Sequence, residues 1–170
     1  MTERWKSYFD SHGAFDPQSL KSAVQHWRFH ETLYGMIIRC CPPPARLLDV
    51  GSGPGWSAFY LAALGYDVTG IDNESSRVDL ATSRAERLNV PDRFEVADAF
   101  DLSRYHGKYD LAFSNGVLEH FDREVTVQLL REQAKCAAKV LIQSPTKYTV
   151  LADGITDERI YTIDQLAHIC

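Results

Sequence analysis

Asp49-Val50-Gly51-Ser52-Gly53-Pro54-Gly55 is the stretch of this chain best equipped for chemistry. The apolar pair Leu47-Leu48 leads into an acid and then into glycines, which adopt backbone geometries that a β-carbon forbids and let a ligand lie against the main chain. A second apolar run ends in Gly70-Ile71-Asp72. At the end of a second strand, the two oxygens of Asp72 can accept both hydroxyls of a ribose; the same acid could instead cap the helix that follows. Strand, glycine turn, helix and strand-end acid together outline a nucleoside-cofactor site.

Spacing selects among cofactors. A dinucleotide fingerprint runs Gly-x-Gly-x-x-Gly. Counting from Gly51 gives Gly53 and then Trp56 where the third glycine belongs; counting from Gly53 gives Gly55 and Ala58, a tolerated last residue, but begins late in the turn. Asp49 would also stand at the strand end, where a pyrophosphate gains nothing from an added negative charge. A ligand carrying an ammonium and a sulfonium would gain from it. The pattern Asp-x-Gly-x-Gly-x-Gly with the later Asp72 resembles motif I and the following acidic motif of the class I S-adenosylmethionine-dependent methyltransferases, in their small-molecule and quinone-type branch.

That resemblance implies S-adenosylmethionine as cofactor and gives roles to positions along the chain. Asp49 with Gly51, Ser52, Gly53 and Gly55 would face the amino acid end of the cofactor. Asp72 would hold the ribose, with Asn73 beside the adenosine. Asp98 would accept from the adenine amino group, the Ala99 N–H would meet a ring nitrogen and Phe100 would pack on the ring; a solvated turn acid is the plainer reading of Asp98. In Ser114-Asn115-Gly116-Val117-Leu118-Glu119-His120-Phe121, Asn115, Gly116 and Leu118 would surround the methionine part, with Glu119 and His120 near the acceptor. Methyl transfer from a sulfonium is an in-line displacement with an already activated donor, so the protein mainly positions the reactants. His120 is the candidate general base, since a neutral imidazole takes a proton from a hydroxyl or amine; a histidine at a helix start also serves structural ends. Some relatives bind a divalent metal through Glu-x-x-Glu-His, but Gly116 replaces the first glutamate and two ligands make no site, so no metal is expected.

These residues need a scaffold. The chain has 170 residues, 45% apolar and 24% charged, which fits one folded domain with a real core. A formal net charge of −5 and the lack of a dense Lys/Arg run argue against a nucleic-acid partner. No run of about 18 apolar residues occurs, and the charged Met1-Thr2-Glu3-Arg4-Trp5-Lys6 start does not suit a signal peptide, so a cytoplasmic location without a membrane partner is expected. Cys40, Cys41, Cys136 and Cys170 show no metal-type spacing and read as small core residues.

Residues 1–45 read as a helical segment and residues 46–170 as the cofactor-binding α/β domain. Asp16-Pro17 opens a helix running to about Arg39, ended by Pro42-Pro43-Pro44. Trp5, Tyr8, Phe9, Phe15, Trp27, Phe29 and Tyr34 crowd this segment; by the resemblance it would form a lid, with Tyr8 and Trp27 as pocket candidates, while burial for area is the simpler use of aromatics. His12, His26 and His30 show no metal spacing. Strands are expected at 46–50, 67–71, 94–97, 109–114 and 139–143, and helices at 56–64, 75–88 and from Asp122 to about Ala138, with Val125, Leu129, Leu130 and Ala134 near its buried face. Thr162-x-x-Gln165 is a capping box opening a last helix. Strands alternating with helices give a doubly wound, Rossmann-like, mostly parallel α/β sheet.

The resembled fold adds two more strands beside strand five, which need roughly 20 further residues. Strand five would otherwise be an exposed edge, so a homodimer, a partner chain or a local rearrangement covering it is expected. The function implied is methyl transfer to an oxygen, nitrogen or carbon of a small molecule. A non-catalytic, cofactor-binding interaction domain is the alternative, while a nicotinamide oxidoreductase is disfavoured by the glycine spacing and Asp49.

Overall fold

The computed structural model describes residues 20–91, 93–145 and 160–167. Trp5, Tyr8, Phe9, His12, Phe15, Asp16-Pro17 and Cys170 lie outside them. The chain divides into two compact units, Met1–Met36 and Ile37–Cys170. Helix α1 runs Leu20–Cys40. On it His26, His30 and Tyr34 recur every fourth residue and so share one stripe. The His26 and His30 rings lie 4.4 Å apart, and His26 Nε2 meets the Tyr34 hydroxyl at 2.8 Å. Trp27 packs on the Tyr34 ring at 5.1 Å. Burial, then the neighbouring His30, lowers the His26 pKa to about 3.

The second unit is built on five parallel strands: β1 Arg46–Val50, β2 Asp67–Asp72, β3 Arg93–Val96, β4 Leu111–Asn115 and β5 Val140–Gln143. Their order is β3-β2-β1-β4-β5. Apart from its first residue β1 is wholly buried, as a parallel strand covered on both faces must be. The connecting helices are α2 Trp56–Ala63, α3 Ser75–Leu88 and α4 Arg123–Cys136; α5 is Ile163–Ala167. α2 packs on β2, α3 on β2 and β3, and α4 on β4 and β5. Leu48, Val50, Ile71 and Ala112 from the sheet join Leu102, Tyr105, Cys136 and Ala137 in one core cluster. No helix among the described residues is long and apolar enough to cross a membrane.

Local signals set most boundaries. Asp122 Oδ1 accepts from Val125 N at 2.9 Å, an N-cap worth about 1 kcal/mol. The capping box closes in both directions, Thr162 N to Gln165 Oε1 at 2.9 Å and Gln165 N to Thr162 Oγ1 at 3.2 Å. α4 stops at Cys136 rather than Ala138, because Ala137 turns extended and bridges Tyr109. Tyr109 is thereby only a bridge, and β4 begins at Leu111.

The buried stripe of α4 differs from the expected one. Thr126, Leu129, Gln133 and Cys136 face inward, whereas Ala134 is exposed. Two polar residues lie on that stripe: Thr126 Oγ1 is 3.1 Å from the Tyr161 hydroxyl, and Gln133 Nε2 donates to Ser114 Oγ at 3.4 Å, while Gln133 Oε1 has no partner among the described residues. Of the cysteines, Cys41 and Cys136 are buried and Cys40 half-buried, all as free thiols.

Candidate functional site

Every expected site residue of the second unit lies at or beyond the carboxyl end of a strand. The connection out of β1 leads to β2 on one side, while β4 pairs on the other. Open parallel sheets bind ligands at such a switch point. Asp49, 2% exposed, stands here beside Gly70 of β2 and Phe113 of β4. A buried carboxylate at this place suits a cationic ligand.

The loop after β1 is pinned along its length. Gly51 N and Ser52 N both donate to Ile71 O at 2.9 Å. Gly53 N donates to Asp72 Oδ2 at 2.9 Å, and Gly55 N closes a turn on Ser52 O at 3.0 Å. Gly53 holds φ +51, a left-handed conformation that L residues resist, and a β-carbon built on it would meet nothing within 4 Å. Gly53 is itself buried, so among the described residues this is free space beside the loop and not an exposed face. The Ser52 hydroxyl oxygen is buried, with no hydrogen-bond partner among the described residues.

Asp72 serves the loop and the next helix together. Oδ1 accepts from Glu74 N at 3.0 Å in a turn ahead of the helix, whose N-cap is Glu74 and not Asp72, and Arg77 Nη1 lies 3.7 Å from Oδ2. A carboxylate offers about four lone-pair sites, so two backbone donors leave acceptor capacity on each oxygen. Asn73 beside it is exposed.

Gly70 has a different reason to be glycine. A β-carbon there would stand 2.6 Å from Phe94 Cδ1 and 2.9 Å from Ser52 Cβ. Phe94, its register partner on β3, slides its ring beneath the loop, and a β-carbon at Gly55 would meet the same ring at 2.8 Å. The Phe94, Phe59 and Trp56 rings follow edge to face at 5.6 Å steps. Arg84 lies over Trp56, 4.4 Å from its centroid, and donates to Pro54 O at 3.4 Å.

The loops after β3 and β4 supply the remaining wall. Ala97 N donates to Asp72 O at 3.0 Å, joining the β3 end to the site. Asp98 is exposed and accepts from Phe100 N at 2.9 Å, which keeps the turn-acid reading alive. Ala99 is half-buried and Phe100 meets Phe121 edge to face at 5.8 Å. Gly116 N donates to Gln143 O at 3.1 Å, so the segment after β4 is tied to β5. Leu118 and Glu119 turn inward at 1% and 3% exposure, whereas His120 faces out. Glu119 Oε1 folds back to within 3.7 Å of where a β-carbon would sit on Gly116. Adjacent in sequence, Glu119 and His120 therefore occupy different environments.

Sequence reasoning missed Gly70, Phe94, Arg84 and Tyr161. Gly70 alone carried a signal, a glycine inside an apolar strand, which marks close approach of another group. Tyr161 donates to Phe121 O at 3.2 Å, anchoring the segment that follows His120.

Residues 47–139 match a family described as "Methyltransferase domain". Among curated relatives, the chain is 39% identical over 123 residues to a ubiquinone biosynthesis O-methyltransferase of Paramagnetospirillum magneticum, covering 71% of this chain and 49% of that protein. It is 35% identical over 114 residues to the 27-O-demethylrifamycin SV methyltransferase of Amycolatopsis mediterranei, covering 64% and 40%. The chain thus spans less than half the length of these two relatives. Among solved structures, magnesium protoporphyrin IX methyltransferase from Synechocystis with bound SAH superposes with a TM-score of 0.71 at 23% identity, over 96% of this chain and 84% of that one. At that identity the likeness concerns the fold.

Proposed function

Since this chain belongs to the class I S-adenosylmethionine-dependent methyltransferase family, we propose that it transfers a methyl group from that cofactor to a small molecule, with a hydroxyl oxygen as the first acceptor class to test. The observation that carries the reading is Asp72: its carboxylate holds Gly53 N–H at 2.9 Å and retains acceptor capacity beside a loop residue whose β-carbon side is free of atoms among the described residues. A diol fits that carboxylate and a cationic group fits the buried Asp49, so the residues present suit the cofactor. The Ser52 hydroxyl, without a partner among the described residues, adds a donor in the same loop.

S-adenosylmethionine supplies, when bound, a methyl group already activated for displacement. In this reading Asp49, Gly51, Ser52, Gly53 and Gly55 bind its amino acid end, Asp72 and Asn73 its ribose side, and Asp98, Ala99 and Phe100 its base. Asn115, Gly116 and Leu118 line the methionine part. His120, being exposed, would accept and hold the proton given up by the acceptor hydroxyl. Glu119, buried beneath Gly116, shapes the turn that presents His120.

The test is calorimetric titration with S-adenosylhomocysteine, followed by assay of its release from S-adenosylmethionine with phenol, quinol and amine acceptors. Binding and turnover are expected, with His120→Gln reducing turnover about 100-fold at unchanged cofactor affinity. Absence of binding refutes the reading.

A further inference from the structure

We propose that Arg84, on α3 and outside the ligand-facing side of the loop, is a positioning residue for the glycine loop and that methyl-donor affinity depends on it; this rests on the reading of that loop as the cofactor site. The two halves of the loop are held differently. Gly51, Ser52 and Gly53 hang by their N–H groups on β2, through Ile71 O and Asp72 Oδ2. Pro54 has no N–H to give, so it can be held only through its carbonyl, and Arg84 Nη1 takes that carbonyl at 3.4 Å.

The same guanidinium lies 4.4 Å from the centre of the Trp56 ring. Pro54 and Trp56 flank Gly55, whose φ of +87 turns the loop into α2. Arg84 therefore grips the chain on both sides of the residue that makes the turn. A planar guanidinium can stack by its face while donating from its edge, which a lysine ammonium cannot do. Beneath Trp56 the Phe59 and Phe94 rings continue the support. Arg84 is the outer end of that row. Arg77, two helical turns earlier on α3 and so on the same side, lies 3.7 Å from Asp72 Oδ2. One helix thus steadies the loop at Pro54 and the carboxylate that Gly53 leans on.

The experiment compares S-adenosylhomocysteine binding to the whole chain with binding to Arg84→Met and Arg84→Lys. Arg84→Met, which keeps the stem and removes both contacts, is expected to weaken binding about tenfold. Arg84→Lys, which keeps the charge, should weaken it about fivefold. Both should keep a ligand-free thermal midpoint within about 5 °C of the parent. The part of the ligand-induced tryptophan emission change that Trp56→Phe abolishes should shrink in both variants, which general destabilisation would not produce. Parental affinity in Arg84→Met overturns the inference, and if that variant does not fold, parental affinity in Arg84→Lys overturns it. Weakened binding with an undiminished Trp56 response also overturns it. If the parent chain does not bind S-adenosylhomocysteine, the underlying reading falls with it, a result distinct from variants that bind as tightly as a binding parent.

Discussion

Gly70→Ala adds one methyl group to the middle of the sheet, and its effect can be worked from the surroundings. The new carbon would lie 2.6 Å and 2.7 Å from Phe94 Cδ1 and Cε1 and 2.9 Å from Ser52 Cβ. Carbon contacts settle at about 3.5–4.0 Å, so close to an ångström must be found on both sides. Phe94 has little room, since its ring already fills the notch at Gly55 and meets Phe59 edge to face at 5.6 Å. Ser52 is tied through its N–H to Ile71 O. Overpacking of this kind costs about 1–3 kcal/mol. Against it, alanine in ordinary extended backbone gains about 0.4–1 kcal/mol by restricting the unfolded chain. The net expectation is a loss of about 1–2 kcal/mol. With a urea m-value of about 1–3 kcal/mol/M, the unfolding midpoint should fall by about 0.5–1 M at unchanged m. Phe94→Leu frees space at the clash, so combining the two substitutions should cost about 1 kcal/mol less than the sum of the singles. A Gly70→Ala midpoint equal to or above the parent's, or a strictly additive double mutant, would refute the steric reasoning.

Gly53→Ala meets no described atom within 4 Å but keeps a left-handed backbone, so it should cost about 1–2 kcal/mol and weaken S-adenosylhomocysteine binding more than tenfold by filling the space beside the loop, as calorimetry would register. Asp72→Asn turns a group that accepts from two N–H donors into one that itself donates at one end; a loss of about 2 kcal/mol in urea unfolding and disappearance of binding are expected. His26, with its pKa lowered to about 3, refuses in the folded helix a proton that the unfolded chain accepts near pH 6.5. Stability of α1 is therefore complete above about pH 6.5 and falls by up to about 1.4 kcal/mol per pH unit below it, toward pH 3; far-ultraviolet dichroism against urea at pH 7 and pH 5 measures this, and His26→Gln should flatten the profile.

The sequence was most legible where chemistry and local geometry coincide. Asp49, the glycines after it and Asp72 are close in the chain and announce themselves by type and spacing. The helix caps at Asp122 and Thr162 were equally plain, because a cap is made within four residues. What stayed hidden depends on partners far along the chain. Nothing near Gly70 says that a ring from residue 94 needs its missing β-carbon. Arg84 looks like any arginine on a polar helix until the loop some thirty residues earlier is brought beneath it. The inward face of α4 was misjudged for the same reason: apolar periodicity favoured Ala134, whereas buried Thr126 and the Gln133 amide nitrogen find their partners in the distant Tyr161 and Ser114.

The bond from Gly53 N to Asp72 Oδ2 has a kinetic meaning as well as a geometric one. The two strand ends that a nucleoside ligand would span are already latched to each other, so arrival requires no prior folding of the loop and no slow isomerisation limits encounter. Association should accordingly be a single fast phase linear in ligand concentration, and substitutions that loosen the latch should shorten residence time far more than they slow arrival.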